Sequence, residues 1–153
     1  MLPTAHAAVT ILIWKLLYFS GIADDFSLYL ALSFGVLIDC DAVIFGSRHR
    51  VSPFHTIIPW LLAIIILYAI EFPYFWTPAF AIVHILMDMI DWEAYPFLPL
   101  SKRTVGLRLL AKKSKLVPGK DPILSFTKEY LSDWRFLSAE IILVILAIIL
   151  LLI

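Results

Sequence analysis

Read for apolar and polar positions, the chain divides into five hydrophobic stretches, residues 7–22, 26–45, 57–72, 76–95 and 136–153, with polar or proline-bearing breaks between them. Each approaches the roughly 17–25 residues that a helix needs to cross a bilayer. The first and third are the shortest and fit a tilted or locally thinned arrangement. The breaks carry turn chemistry: Gly21 with Asp24 and Asp25, then residues 46–53, then Pro73. Pro59 and Pro78 fall in first turns, where a missing N–H is tolerated. The pattern predicts an all-α fold, a polytopic membrane helical bundle of about five transmembrane helices. No repeat or low-complexity tract interrupts it, apart from the aliphatic tail.

Composition agrees with that solvent. Hydrophobic residues make up 62% of the chain and mean hydropathy is +0.95, well above the roughly 45–50% apolar share of soluble domains. Aromatics reach 14% and suit the interface, where one end of a ring stays wet. Cys40 is the only cysteine, which excludes an intrachain disulfide or a multi-cysteine metal site and favours a small packing role. The N-terminus lacks a basic segment and a small-residue cleavage site, so the first helix is expected to be retained.

Charge is informative through its placement. Of the 12 Lys and Arg, all but Lys15 lie either between the second and third stretches (Arg48, Arg50) or between the fourth and fifth. The opposite loops hold Asp24, Asp25 and Glu71 and no base. The positive-inside rule therefore predicts a cytoplasmic N-terminus and an outside C-terminus in the cell membrane. Lys15, inside the first stretch, is expected to snorkel or to pair with an acid, in a structural role. Residues 98–134 are basic and punctuated by Pro99, Pro118, Gly119 and Pro122. They read as a cytoplasmic connector between a four-helix membrane domain at 1–97 and a last helix at 135–153. Its segment 105–110 suits a short amphipathic helix on anionic lipid headgroups, and equally a solvated basic loop required by topology. Membrane lipids are the expected partners; no nucleic acid is expected.

Ionisable groups inside spans cost about 2.5–3.5 kcal/mol each at a helix centre on insertion scales, so a cluster of them needs a reason. The second stretch ends in Asp39 and Asp41, the fourth carries His84, Asp88 and Asp91, the first opens with His6, and the loop between the second and third supplies His49 and His55. His84, Asp88 and Asp91 share one helix face by their spacing. Asp39 and Asp41 diverge on an ideal helix, which implies a distorted helix end or ligands to two different centres. The topology derived from Lys and Arg alone places the set in the cytoplasmic half, with His84 nearest the midplane. Imidazole with carboxylate suits Zn²⁺, Mn²⁺ or Fe²⁺, one ion or more. The competing reading is a metal-free network of His–Asp hydrogen bonds that fixes helix register. For so many residues on one side of the membrane, a metal or catalytic site is the favoured expectation.

At these residues the chain resembles the membrane-bound metal-dependent hydrolase family, the YdjM-like inner-membrane proteins, over roughly residues 1–100. The resemblance is carried by His6, by Asp39 with Asp41, by "HRVSPFHT" with His49, Arg50 and His55, and by "HILMD" with His84 and Asp88. Ile38 and Ala42 stand where the family has Pro and His around its acidic pair, and the two loop histidines lie one residue further apart than usual, which leaves the number of ions open. The resemblance implies His6, Asp39, Asp41, His49, His55, His84 and Asp88 as metal ligands. It also implies hydrolysis of a phosphoester, since the family is regarded as distantly similar to zinc-dependent phospholipase C and P1 nuclease. Arg48 and Arg50 would then clamp an anionic substrate, a role that weighs equally with their purely topological one. Asp91 would act as a ligand, as a partner orienting a histidine, or as a general base. The expected function is a membrane-embedded hydrolase of a lipid or other amphiphilic phosphoester. The alternatives are an ion, proton or small-solute transporter, and a non-catalytic metal-binding scaffold. Against transport, the outer halves of the spans offer only Lys15. No Ser-His-Asp order, P-loop or dinucleotide glycine motif suggests other chemistry.

Overall fold

The computed structural model describes residues 3–41, 44, 52–91, 94–107 and 132–153. Five α-helices account for most of them: α1 (Pro3–Phe19), α2 (Asp25–Val36), α3 (Ile57–Ala69), α4 (Ala79–Asp91) and α5 (Trp134–Leu152). Two short 3₁₀ turns, Leu37–Asp41 and Pro53–His55, lie at the ends of α2 and α3. Among the described residues there is no strand, only an isolated antiparallel bridge between Ala94 and Val105.

Local chemistry explains where the helices stop. Gly21 adopts φ +72 after α1, and the bonds Gly21 N–H to Tyr18 C=O and Ile22 N–H to Leu17 C=O close a Schellman motif. The same pair of bonds ends α3 at Tyr68 and Leu67, with Glu71 in the left-handed position at φ 56, a conformation that favours glycine. Asp24 caps α2 through a reciprocal capping box with Ser27. The fourth apolar stretch enters its helix through a tightened turn: Thr77, Ala79, Phe80 and Ala81 each donate to the carbonyl three residues back.

α1 packs between α2 and α5, α4 packs on α2, and α3 lies against α4. Trp14, Ala31 and Phe80 form the buried centre of the α1, α2 and α4 group. Thr10 of α1 meets Gly35 of α2 so closely that a Cβ at Gly35 would lie 2.2 Å from Thr10 Oγ1, so only glycine allows this approach. Lys15 is buried without an acid partner among the described residues; its ammonium lies 5.3 Å from the Tyr18 ring centroid and 5.0 Å from that of Phe19. Cys40, expected to pack, is exposed on its 3₁₀ turn.

α5 is long and apolar enough to cross a membrane, with 19 residues at mean hydropathy 2.6 and only 11% of its apolar window buried against the rest of the chain. The other apolar helices, Pro3–Phe19, Ile57–Ala69 and Ala79–Ile90, are shorter. The 26–45 stretch is likewise broken: its α-helix ends at Val36 and tightens to 3₁₀ through Asp41.

Candidate metal centre

That tightening is what arranges the acids. Two residues apart on an α-helix, Asp39 and Asp41 would point about 160° from each other; on a 3₁₀ turn the angle falls to about 120°. The pair then grips one imidazole from both sides. Asp39 Oδ1 lies 3.3 Å from His55 Nε2, and Asp41 Oδ2 lies 3.0 Å from His55 Nδ1. Ser52, buried beside them, donates its hydroxyl to the same Asp41 oxygen. His55 is delivered by the Pro53–His55 turn, with Pro at its start, and Ile57 N–H donates to Pro96 C=O to pin the following chain.

The second imidazole comes from α4. His84 Nδ1 lies 2.9 Å from the Gly35 carbonyl oxygen. A carbonyl only accepts, so Nδ1 carries the hydrogen and, in the neutral ring, Nε2 presents a bare lone pair. That nitrogen is buried and makes no hydrogen bond. It lies 3.3 Å from Asp39 Oδ1 and 3.9 Å from Asp88 Oδ2, the latter one helical turn away on α4. His55 Nε2 is also 3.9 Å from Asp88 Oδ2.

One ligand atom each from Asp39, His55, His84 and Asp88 thus lies within 4.8 Å of the other three. This cluster could bind a metal ion, and its chemistry fits one. Both histidines turn Nε2 inward because Nδ1 is held from behind, by Gly35 and by Asp41, the usual way a protein fixes the tautomer and orientation of a metal-ligating histidine. Four lone-pair donors with two carboxylate charges face one another, and a divalent cation relieves their repulsion. Bonds of 2.0–2.1 Å in a tetrahedron place ligand atoms about 3.3 Å apart, close to the shortest separations found. Of these four described residues, Asp39, with 28% of its side chain exposed, opens the centre to its surroundings.

His6 and Asp41 stand beside these four atoms. The His6 ring stacks on His84 with centroids 3.9 Å apart, and its Nε2 lies 3.3 Å from Asp88 Oδ1, the oxygen turned away from the cluster. That approach lacks hydrogen-bond geometry, and both His6 ring nitrogens are buried without a hydrogen bond, as is Asp41 Oδ1. Burial pulls the His55 pKa down, but the hydrogen bond to Asp39 and the charges of Asp41 and Asp88 outweigh it, so the net shift is upward. A protonated His55 is the form the metal-free network would use, and a cation in the centre competes with that proton.

Arg48, His49 and Arg50 lie outside the described residues. Asp91 closes α4, and its side chain lies outside them as well. The Gly35 carbonyl and the Ser52 hydroxyl were not foreseen. The signal for Gly35 was present, as a small residue in an apolar helix that another backbone approaches; Ser52 had none beyond its nearness to His55. Compared with protein-family models, curated proteins and solved structures, the chain matches none.

Proposed function

We propose that this chain is a membrane-embedded metal-dependent hydrolase whose centre, Asp39, His55, His84 and Asp88, holds a divalent ion, zinc in first place and manganese or iron otherwise. The observation that carries the reading is the buried Nε2 lone pair of His84, anchored from behind and aimed at two carboxylates with no hydrogen-bond partner of its own. Supporting it are the apolar helices, with α5 long enough to span, and the exposure to the surroundings of large aliphatic side chains such as Ile142, Ile145 and Ile148. In this reading the five helices form a bundle in the cell membrane with the N-terminus cytoplasmic and the C-terminus outside, a course that the placement of Lys and Arg supports.

The substrate is a lipid or other amphiphilic phosphoester presented from the cytoplasmic leaflet. A bound divalent ion supplies Lewis-acid activation of water and of a phosphoryl oxygen. The chain's own residues do the rest. Asp41, with Ser52 behind it, holds His55, and the Gly35 carbonyl holds His84. Asp39, at the exposed edge, faces arriving substrate. Arg48 and Arg50 clamp the phosphate, Asp91 serves as general base or orienting partner, and the resemblance to the YdjM-like proteins points the same way. The test is metal content and turnover of the purified protein in lipid. About one equivalent of metal and release of phosphate or a phosphorylated headgroup from a phospholipid and lipid-pyrophosphate panel, stopped by a chelator and by Asp39→Asn or Asp88→Asn, is the expected result. A carefully prepared wild type without metal, with both variants less stable than it, would replace this reading by the metal-free network.

A further inference from the structure

Residues 94–107 follow α4 and return to it as a closed loop. Ala94 and Val105 exchange two N–H···O=C bonds of 3.0 Å, Leu107 N–H donates to Met89 C=O at 2.8 Å, and Pro96 C=O accepts from Ile57 N–H at 2.8 Å. The base of the loop is thereby fixed to α4 and to the start of α3, at the end of the molecule that carries Asp88 and His55. The tip is held as well: Ser101 N–H donates to Phe97 C=O at 2.9 Å, and Arg103 N–H to Ser101 Oγ at 3.2 Å. Yet Leu100 is 84% exposed and Phe97 48%, with the exposed Lys102 and Arg103 just beyond them. Residues 94–107 contain these two bases and no acid. The amphipathic character expected at 105–110 therefore falls earlier in the chain: Val105 sits in the bridge, and the exposed apolar and basic side chains lie at 97–103.

We propose that this tip docks on the bilayer surface, with Phe97 and Leu100 at the acyl boundary and Lys102 and Arg103 on anionic phospholipid headgroups. The proposal rests on the membrane placement in the reading above and is independent of hydrolysis. The occupant is argued from the chemistry of the tip. A fixed turn that holds a leucine and a phenylalanine in water forfeits burial that a membrane interface returns. Charge of one sign beside them complements an anionic leaflet, and the stems of Lys and Arg cover apolar surface while their heads reach phosphate.

The experiment places full-length protein in nanodiscs of equal phosphatidylcholine and phosphatidylglycerol, with one lipid or the other carrying a nitroxide quencher on its acyl chain. A small polar fluorophore sits on Leu100→Cys in a Cys40→Ser background, Cys40 being the only native cysteine; a second labelled form, Ile145→Cys in the same background, reports α5, where Ile145 is exposed. Quenching at the tip should reveal local enrichment of phosphatidylglycerol over phosphatidylcholine of at least about five-fold, the factor one base contributes near an anionic surface. High salt should shrink that preference. Lys102→Gln with Arg103→Gln should remove it while quenching at Ile145→Cys and metal content stay unchanged; both bases are exposed, so the fold is kept. Equal quenching by the two lipids would overturn the proposal, as would a preference that survives the double substitution. A tip that stays bright while Ile145→Cys is quenched would also overturn it and leave the membrane reading standing. Both sites bright would sink the two together.

Discussion

The two ends of the α1, α2 and α4 group are both tied by polar side chains, but they differ in how completely those groups are satisfied. At the end away from the His and Asp cluster, Trp14 Nε1–H donates to Ser27 Oγ at 3.1 Å and to the Asp24 carbonyl at 3.2 Å, Ser27 and Asp24 exchange capping bonds, and the Tyr74 hydroxyl donates to Asp24 Oδ2 at 2.6 Å. These bonds stitch α1, α2 and the turn before α4 together with nothing left over. At the other end, His84 Nε2, both nitrogens of His6 and Asp41 Oδ1 are buried without hydrogen bonds. A buried polar group left unmatched costs about 1–3 kcal/mol, so the folded chain carries several such costs in one small volume. The first end is a latch complete in itself; at the second, a cation among Asp39, His55, His84 and Asp88 could take up the His84 lone pair, while His6 and Asp41 Oδ1 stand outside those four atoms.

Removing a ligand should break this contrast most strongly. His84→Ala is expected to lower metal affinity by at least about 100-fold, and chelation should lower the melting temperature of wild type but not that of the variant. Competition with a chromophoric chelator and a thermal scan measure both; wild-type affinity retained in His84→Ala would place the ion elsewhere. Next comes Asp41→Asn, which keeps the shape around His55 but removes the charge behind Nδ1. A loss of about 10–100-fold in metal affinity is expected, with the latch end untouched.

Gly35→Ala should cost about 1–3 kcal/mol by overpacking. Thr10 is β-branched, and its Cβ and Cγ2 would also stand 3.2 Å from the new methyl, so rotation about χ1 gives no relief. Thr10→Ala in the same chain should restore most of the stability, and denaturant unfolding of the single and double variants checks it; no recovery would mean the contact is not the cause.

The smallest effect belongs to the latch. The hydrogen bond from Tyr74, then the backbone N–H of Ser27, hold the Asp24 carboxyl below its usual 3.8, and the same bond raises the Tyr74 pKa. A depressed carboxylate contributes stability above its unfolded pKa and loses it as pH falls through the folded value. The decline therefore lies below about pH 3.8. Tyr74→Phe should flatten part of it without changing metal content. Because Asp24 is fully exposed, the change should be small; an unchanged acid profile would show that Tyr74 does not contribute.

Much of this was legible in the residue pattern, and the misses have physical reasons. Apolar runs locate the five helices of the described residues, but not their lengths. The 26–45 run is uniformly hydrophobic, and nothing in hydropathy marks the shift at Val36 from α to 3₁₀, because both geometries accept the same side chains. The divergence of Asp39 and Asp41 pointed to it as one of two alternatives, a distorted helix end or ligands to two different centres, and the 3₁₀ turn is the first of these. Cys40, expected to pack, is exposed on that turn.

The sequence by itself determined the helical class, the polar stripe of His84 and Asp88 one turn apart, and the side of the chain on which His and Asp accumulate, because periodicity and charge placement are properties of the chain alone. Only the tertiary structure decided which of those residues face one another. Asp39, His55, His84 and Asp88 share four converging atoms, whereas Asp41 stands behind His55 and His6 against the far oxygen of Asp88. That selection depends on the close Thr10–Gly35 approach, which sets where α2 lies, and on the Gly35 carbonyl, which turns His84 Nε2 inward. A backbone carbonyl exists at every residue, so its role emerges only when a neighbouring helix presents a donor to it.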